Sequence, residues 1–253
     1  MNHINDVSRL ASSVSRLGLC LGAFALLTVG CVGAEDIDLD EEQLGEVEEA
    51  LGGPPPASCL DIRTATPQAG DGAYVLHIGH DPAKPWTAHC HNMATSPAEY
   101  LSLPHVGPSE NFSQYTAGGA VSGTDVRTRY GKIRIDPATL LVDISDQTFT
   151  TSTGQLTHGG EAVTSMPFGV AMSCDASASG VGNVDLRGTP FAVATAEFLQ
   201  GGTSSSGSAT YSSNDRVVSL TGGGYCGWTC ASPATFNPFN DAGDFQLSLV
   251  YAP

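Results

Sequence analysis

Basic residues are scarce in this sequence. Ten Lys and Arg stand against 26 Asp and Glu, and charged residues of every kind make up 14% of the 253 positions. A nucleic-acid surface needs clustered cations to neutralise phosphates, so this balance argues against DNA or RNA as a partner. The motifs of several enzyme classes are missing too. A zincin carries two His one helical turn apart around a Glu, H-E-x-x-H, and the chain has no such run. It also lacks the G-x-S-x-G nucleophile elbow and the P-loop. Nor does any apolar stretch reach the about 20 residues that a membrane-spanning helix requires.

The longest apolar stretch, Leu17 to Val29, follows Arg9 and Arg16 and has the length of a secretory signal core. It ends in Thr28-Val29-Gly30-Cys31. Small residues before a cysteine resemble the signal box of bacterial lipoproteins, in which the cysteine becomes the acylated mature N-terminus. The expectation is therefore a signal peptide over 1–30, lipidation at Cys31 and a place in the bacterial cell envelope or on its surface. The alternative is an ordinary cut near Ala34 and a secreted protein. Residues 31–57 follow as an acidic and Pro-rich tether: Glu35 to Glu49 holds nine acids and no base, and Pro54-Pro55-Pro56 stiffens the approach to the domain. Glu46 to Leu51 is long enough for a helical turn or two.

Residues 58–253 form one domain carrying sixteen acids and eight bases. Over the whole chain, hydrophobic content of 41% supports a packed core, and 30 Gly with long polar tracts suit a mainly β, β-rich α+β extracellular fold. The organising stretch is Ser58 to Tyr100, which holds four of the seven His. Ala73 to Gly79 alternates, with Tyr74, Leu76 and Ile78 on one face; Asp81 to Pro85 is turn chemistry, and Trp86 to Asn92 is a return strand. Such a hairpin puts Cys90 on the face of Leu76 and His77 near His89, with His89 and His91 on the opposite side from Cys90.

Further strands are expected at Tyr130 to Asp136, Leu140 to Ile144, Gln147 to Thr151, Asn183 to Phe191, Val217 to Leu220 and Phe245 to Tyr251. Phe191 to Leu199 suits a strand or a short helix. Thr153 to Thr164, Ala176 to Gly182 and Gly201 to Ser208 read as loops, and Gly222 to Cys230 as a glycine-dense turn. Asn111-Phe112-Ser113 fits the pattern of a glycosylation acceptor. An exported domain forms disulfides, and this one has five cysteines: Cys59, Cys90, Cys174, Cys226 and Cys230. Five is odd, so one thiol at least is left over within the chain.

Many ordered motifs carry a resemblance. They are Cys59 with Ile62, Asp71-Gly72-Ala73-Tyr74, Cys90-His91-Asn92-Met93, Pro97 to Leu103, Glu110-Asn111-Phe112-Ser113 and Lys132-Ile133-Arg134-Ile135. Pro167-Phe168-Gly169 with Cys174, Asp185 to Thr189, and Gly224-Tyr225-Cys226-Gly227 with Cys230 complete the set. In this order they resemble the GON domain, a C-terminal module of ADAMTS-type zinc metalloproteases that also occurs in bacterial proteins. The opening also resembles the start of fibrinogen-like domains, whose first two cysteines pair, and this implies Cys59–Cys90. The chain departs from the animal pattern in lacking a cysteine cluster near residues 117–129. That leaves Cys174 to pair with Cys226 or Cys230, or the last two with each other.

The resemblance links the chain to zinc metalloendopeptidases, yet any peptidase activity would belong to the catalytic domain that usually precedes the module. The reading is an exported, lipid-anchored binding module for an extracellular or periplasmic protein or glycan, without intrinsic activity. The rival reading is a metal-dependent hydrolase with zinc on His77, His89 and His91, which one strand face would present together. Cys226 and Cys230 suit a structural disulfide turn better than a redox pair, since their spacing is not C-x-x-C. Asp143 and Asp146 read as loop acids.

Overall fold

The computed structural model describes residues 53–176, 179–231 and 246–253. The expected signal peptide over 1–30, the lipidation site Cys31 and the helical turns at Glu46 to Leu51 lie outside the described residues. One α-helix, α1 (Cys59–Ala65), opens the domain. Ser58 caps it: its hydroxyl accepts from the Asp61 N–H, while the Asp61 carboxylate accepts from the backbone N–H of Ser58 and of Ala57. Two orphan donors of the first turn are satisfied reciprocally, which makes so short a helix tenable.

Seventeen strands follow among the described residues: β1 (Gly72–His77), β2 (Pro85–His91), β3 (Ala98–Ser102), β4 (Phe112–Thr116), β5 (Ser122–Gly123), β6 (Val126–Tyr130), β7 (Lys132–Asp136), β8 (Leu141–Asp143), β9 (Thr150–Thr153), β10 (Leu156–His158), β11 (Glu161–Val163), β12 (Ala171–Ser173), β13 (Ser179–Asp185), β14 (Phe191–Val193), β15 (Phe198–Ser212), β16 (Val217–Ala231) and β17 (Gln246–Tyr251). The fold is mainly β. One antiparallel sheet runs β1-β2-β3-β7-β8-β17-β14. A second has β16 flanked by β15 on one side; on the other, β12 and β13 together fill the lane between β16 and β4, and β6 and β9 complete it. A small sheet, β11-β10-β5, stands apart.

The main core draws on both large sheets. Leu76, Trp86, Ile133, Ile135 and Leu247 come from the first, and Val184, Val218, Leu220 and Phe198 from the second. A second cluster joins Tyr115, Val126 and Met172 to Leu156 and Val163 of the small sheet. Strand alternation delivers these side chains: β2 buries Trp86, Ala88 and Cys90 while Thr87, His89 and His91 stay more open.

The hairpin keeps its expected faces but not its expected register. Leu76 lies opposite Trp86 and Gly72 opposite Cys90, so Cys90 does share the face of Leu76. His77, however, lies opposite Pro85, and His89 opposite Ala73. The turn is longer than Asp81 to Pro85. A 3-10 turn takes up Ile78–His80, with Gly79 and His80 both at positive φ, and Lys84 donates its N–H to the Asp81 carbonyl. The displacement is by an even number of residues, so no side chain changes face.

Other differences have one cause. The Gly/Ser tract at 201–208 is not a loop and Gly222 to Cys230 is not a turn; both lie inside the long strands β15 and β16, paired with each other from Phe198↔Ala231 to Ser212↔Val217. Small residues have weak β preference alone, but a matching partner supplies the ladder. In the same way β13 begins at Ser179 within the expected 176–182 loop, and β10 and β11 make a hairpin within the expected 153–164 loop. The single strand expected over Tyr130 to Asp136 is two, β6 and β7, parted at Gly131 and belonging to different sheets. Gln147 to Thr151 is displaced to β9, and the ambiguous Phe191 to Leu199 is strand at both ends.

Candidate binding face

The three expected zinc ligands do not meet at one point. His77 sits at the turn end of β1, four residues along the strand from Ala73, the partner of His89, a span of about 13 Å at ~3.3 Å per residue. It is also buried, and its N–H donates to the Pro56 carbonyl. His89 and His91 do come together: side chains two apart on β2 stack with ring centroids 6.4 Å apart.

Around that pair the outward side of the first sheet builds a compact ring cluster. Phe149, from the loop ahead of β9, makes T-shaped ring contacts with His89, His91 and Tyr100, with centroids 5.3, 5.2 and 4.8 Å apart. Tyr100 is brought beside His89 by the β2–β3 ladder, and its hydroxyl donates to Asp146. Lys132 lies 4.6 Å from the Phe149 ring centre, a cation over a negative π face. Asp71 closes one end: it accepts from the Met93 N–H at 2.7 Å, and its other oxygen is 3.0 Å from His91 Nδ1. The Met93 hydrogen bond, followed by that of Asn92, holds the Asp71 carboxyl below its ordinary range. Burial first, then the Lys132 charge, lowers the His89 pKa, so His89 stays neutral further into the acid range than a solvated imidazole. The face therefore offers rings flanked by one cation and two carboxylates. Asp146 belongs to it; Asp143 is the last residue of β8 rather than a loop residue, and accepts from the N–H and hydroxyl of Ser145 just beyond the strand.

Both disulfides tie elements of the domain. Cys59–Cys90 joins α1 to β2 with Cα atoms 5.5 Å apart, as the resemblance implied. Cys174 pairs with Cys226, which decides between the alternatives. Cys230 is buried and takes no part in either disulfide. Cys226 and Cys230 do not bond each other, because they are four residues apart on a strand, opposite Thr203 and Leu199 respectively. A disulfide needs Cα atoms within about 7 Å.

A third cluster surrounds Asn111. Arg187 donates through Nε to both oxygens of the buried Asp185 and reaches Glu110 at 3.5 Å, with His105 3.5 Å from Glu110 on the other side. Burial raises the Asp185 pKa, but the Arg187 hydrogen bonds outweigh it and the carboxyl ends below its ordinary range. This is a satisfied ion-pair network that positions a turn. The run Gly222 to Gly227 has the G-x-G-x-x-G spacing of a dinucleotide loop, yet it lies within β16 rather than at a strand-to-helix turn, where such glycines act. Phe149 and Lys132 escaped the sequence reading of this face because they lie far from β2 in sequence; only the alternation of His89 and His91 marked it.

Comparison with known families now bears on these features. The profile of the GON domain matches residues 56–123 and 120–237. The chain belongs to the GON domain family. No curated protein and no solved structure matches it. Membership and two disulfides are compatible with an extracellular domain, and the GON domain supports an interaction role in general.

Proposed function

We propose that this GON-domain protein is an exported, lipid-anchored interaction module. It binds an extracellular or periplasmic protein or glycan through the face formed by His89, His91, Phe149 and Tyr100. The observation that carries the reading is the ring cluster itself: the half-buried rings of His89, His91 and Phe149, backed by the buried Tyr100, with Lys132, Asp71 and Asp146 at their rim on the outward side of the sheet. Rings of this kind supply contact area at low entropic cost, and the charges around them orient a polar ligand. Cys31 would anchor the chain, and the acidic stretch after it would hold the domain off the surface.

The test compares the exported chain with Phe149→Ala, His91→Ala and, as a control on the other large sheet, the exposed Leu199→Ser, on a glycan array and against fractionated envelope proteins. The expected result is one ligand class retained by the control and weakened at least tenfold by Phe149→Ala. Equal binding by all variants would overturn the assignment of the face. Adding a chelator separates this reading from a zinc-dependent one, since a binding module keeps its ligand. Labelling with a radioactive fatty acid, lost in Cys31→Ala, tests the anchor.

A further inference from the structure

The Cys174–Cys226 disulfide sits in company that the Cys59–Cys90 disulfide lacks. The ligand atoms of His158, Cys174 and Cys226 all lie within 4.8 Å of one another. The Tyr115 hydroxyl points to the same place, 2.5 Å from His158 Nδ1 and 3.0 Å from Cys174 Sγ. Four side chains that can donate an electron pair thus converge from four strands or their ends, β4, β10, β12 and β16. The one other such grouping among the described residues, His105 with Glu110 and Asp185, already has its cation in the Arg187 guanidinium.

We propose that Cys174, Cys226 and His158 form a redox-gated site for one thiophilic cation of the Zn2+ class, closed while the disulfide stands and opened by its reduction. This goes beyond the binding face around Phe149 and does not depend on it. The donor set is soft: two thiolates and an imidazole favour Zn2+ or a similar ion over Mg2+ or Ca2+. Two thiolates also cancel a divalent charge, which suits a site where Cys174 is fully buried. Tetrahedral bonds of about 2.0–2.3 Å separate donor atoms by about 3.5–3.8 Å, so after reduction the two sulfurs must part from bonding distance to about 3.8 Å, still inside the 4.8 Å that the cluster spans. The Tyr115 hydroxyl or a water would take the fourth position.

The strand ladder, besides the disulfide, brings the two cysteines side by side. β12 and β16 pair at Ala171↔Thr229, Met172↔Trp228 and Ser173↔Gly227, and the next rung brings Cys174 to Cys226. β4 flanks β12 on its other side, and β10 is paired on both of its edges. The gating step is thiol–disulfide exchange with a dithiol. One thiolate of the reductant attacks a sulfur and forms a mixed disulfide; its second thiolate then displaces the protein sulfur. The Cys174–Cys226 bond gains two electrons and two protons, and the dithiol leaves as its disulfide. Each protein thiol gives its proton to solvent as it binds the cation, and His158 contributes a lone pair without change of charge.

The full chain would be reduced with a dithiol, freed of it under anaerobic conditions, and titrated with Co2+, reading the visible ligand-field bands and the ultraviolet thiolate-to-cobalt bands. Zn2+ bound after dialysis would be counted by elemental mass spectrometry. The expected result is one ion per reduced chain and none per oxidised chain, with the thiolate bands absent in Cys226→Ser and affinity at least tenfold weaker in His158→Ala. Cys59→Ser/Cys90→Ser should still bind one ion; if that variant does not fold, the dependence on His158 makes the same distinction. No uptake by the reduced chain, uptake that survives Cys226→Ser or is indifferent to His158→Ala, or loss of the β-sheet circular dichroism on reduction alone would each overturn the proposal.

Discussion

Asn111 shows how much one side chain can carry. It is fully buried at φ 46°, and its amide replaces a missing stretch of strand. Nδ2 donates to the His105 and Asp185 carbonyls and Oδ1 accepts from the Asp185 N–H, each at 2.8 Å. Its own N–H donates to Asn183 Oδ1, and its carbonyl accepts from the Tyr130 N–H. The Asn-x-Ser pattern that suggests glycosylation is therefore a buried brace in the folded domain. Asn111→Ala removes three hydrogen bonds and leaves buried backbone groups unpaired in a left-handed conformation. A loss of roughly 3 kcal/mol is expected in urea unfolding, and Asn111→Gly, which tolerates the backbone, should recover about 1 kcal/mol of it. A near-neutral Asn111→Ala would show that the amide is not a brace.

At the scale of elements, the β15–β16 ribbon depends on glycine at specific rungs. Gly202 has φ 96°, and a Cβ there would come within 2.2 Å of the Cys226 carbonyl and 2.5 Å of the Trp228 ring. Gly202→Ala should cost roughly 2 kcal/mol and alter Trp228 fluorescence, with melting temperature and emission spectrum as readouts. Composition alone marks such a tract as flexible, because Gly and Ser carry little strand preference. The partner strand overrides that preference, and glycine is what lets two backbones and an indole meet there. The α1 helix was legible in principle from Ser58 three residues before Asp61, a capping pattern that a β-rich reading passed over. In the first hairpin the faces were legible from alternation. The register was not, because Gly79 and His80 add a 3-10 turn whose left-handed backbone leaves no periodic trace.

For the whole molecule, the two disulfides act on loops of 31 and 52 residues. Removing the first with Cys59→Ser/Cys90→Ser should lower stability by about 3–4 kcal/mol in the chain-entropy view, read as a lower urea midpoint with a steeper slope as the unfolded chain expands. An unchanged midpoint would mean that α1 and β2 are held by packing alone. What the sequence determined by itself is local or compositional: a mainly β domain, the inward faces of its alternating strands, an excess of acid, and cysteines suited to an oxidising setting. Family membership was legible as well, because its motifs keep their order along the chain. The tertiary structure alone decided which strands are neighbours, whether Cys174 joins Cys226 or Cys230, and that His77 parts from His89 and His91. It also decided that Phe149 reaches the histidines and that Tyr115, His158, Cys174 and Cys226 converge. Alternation encodes the side on which a residue falls. The residue it meets there depends on turn lengths and on the packing of two sheets, which no short window of sequence contains.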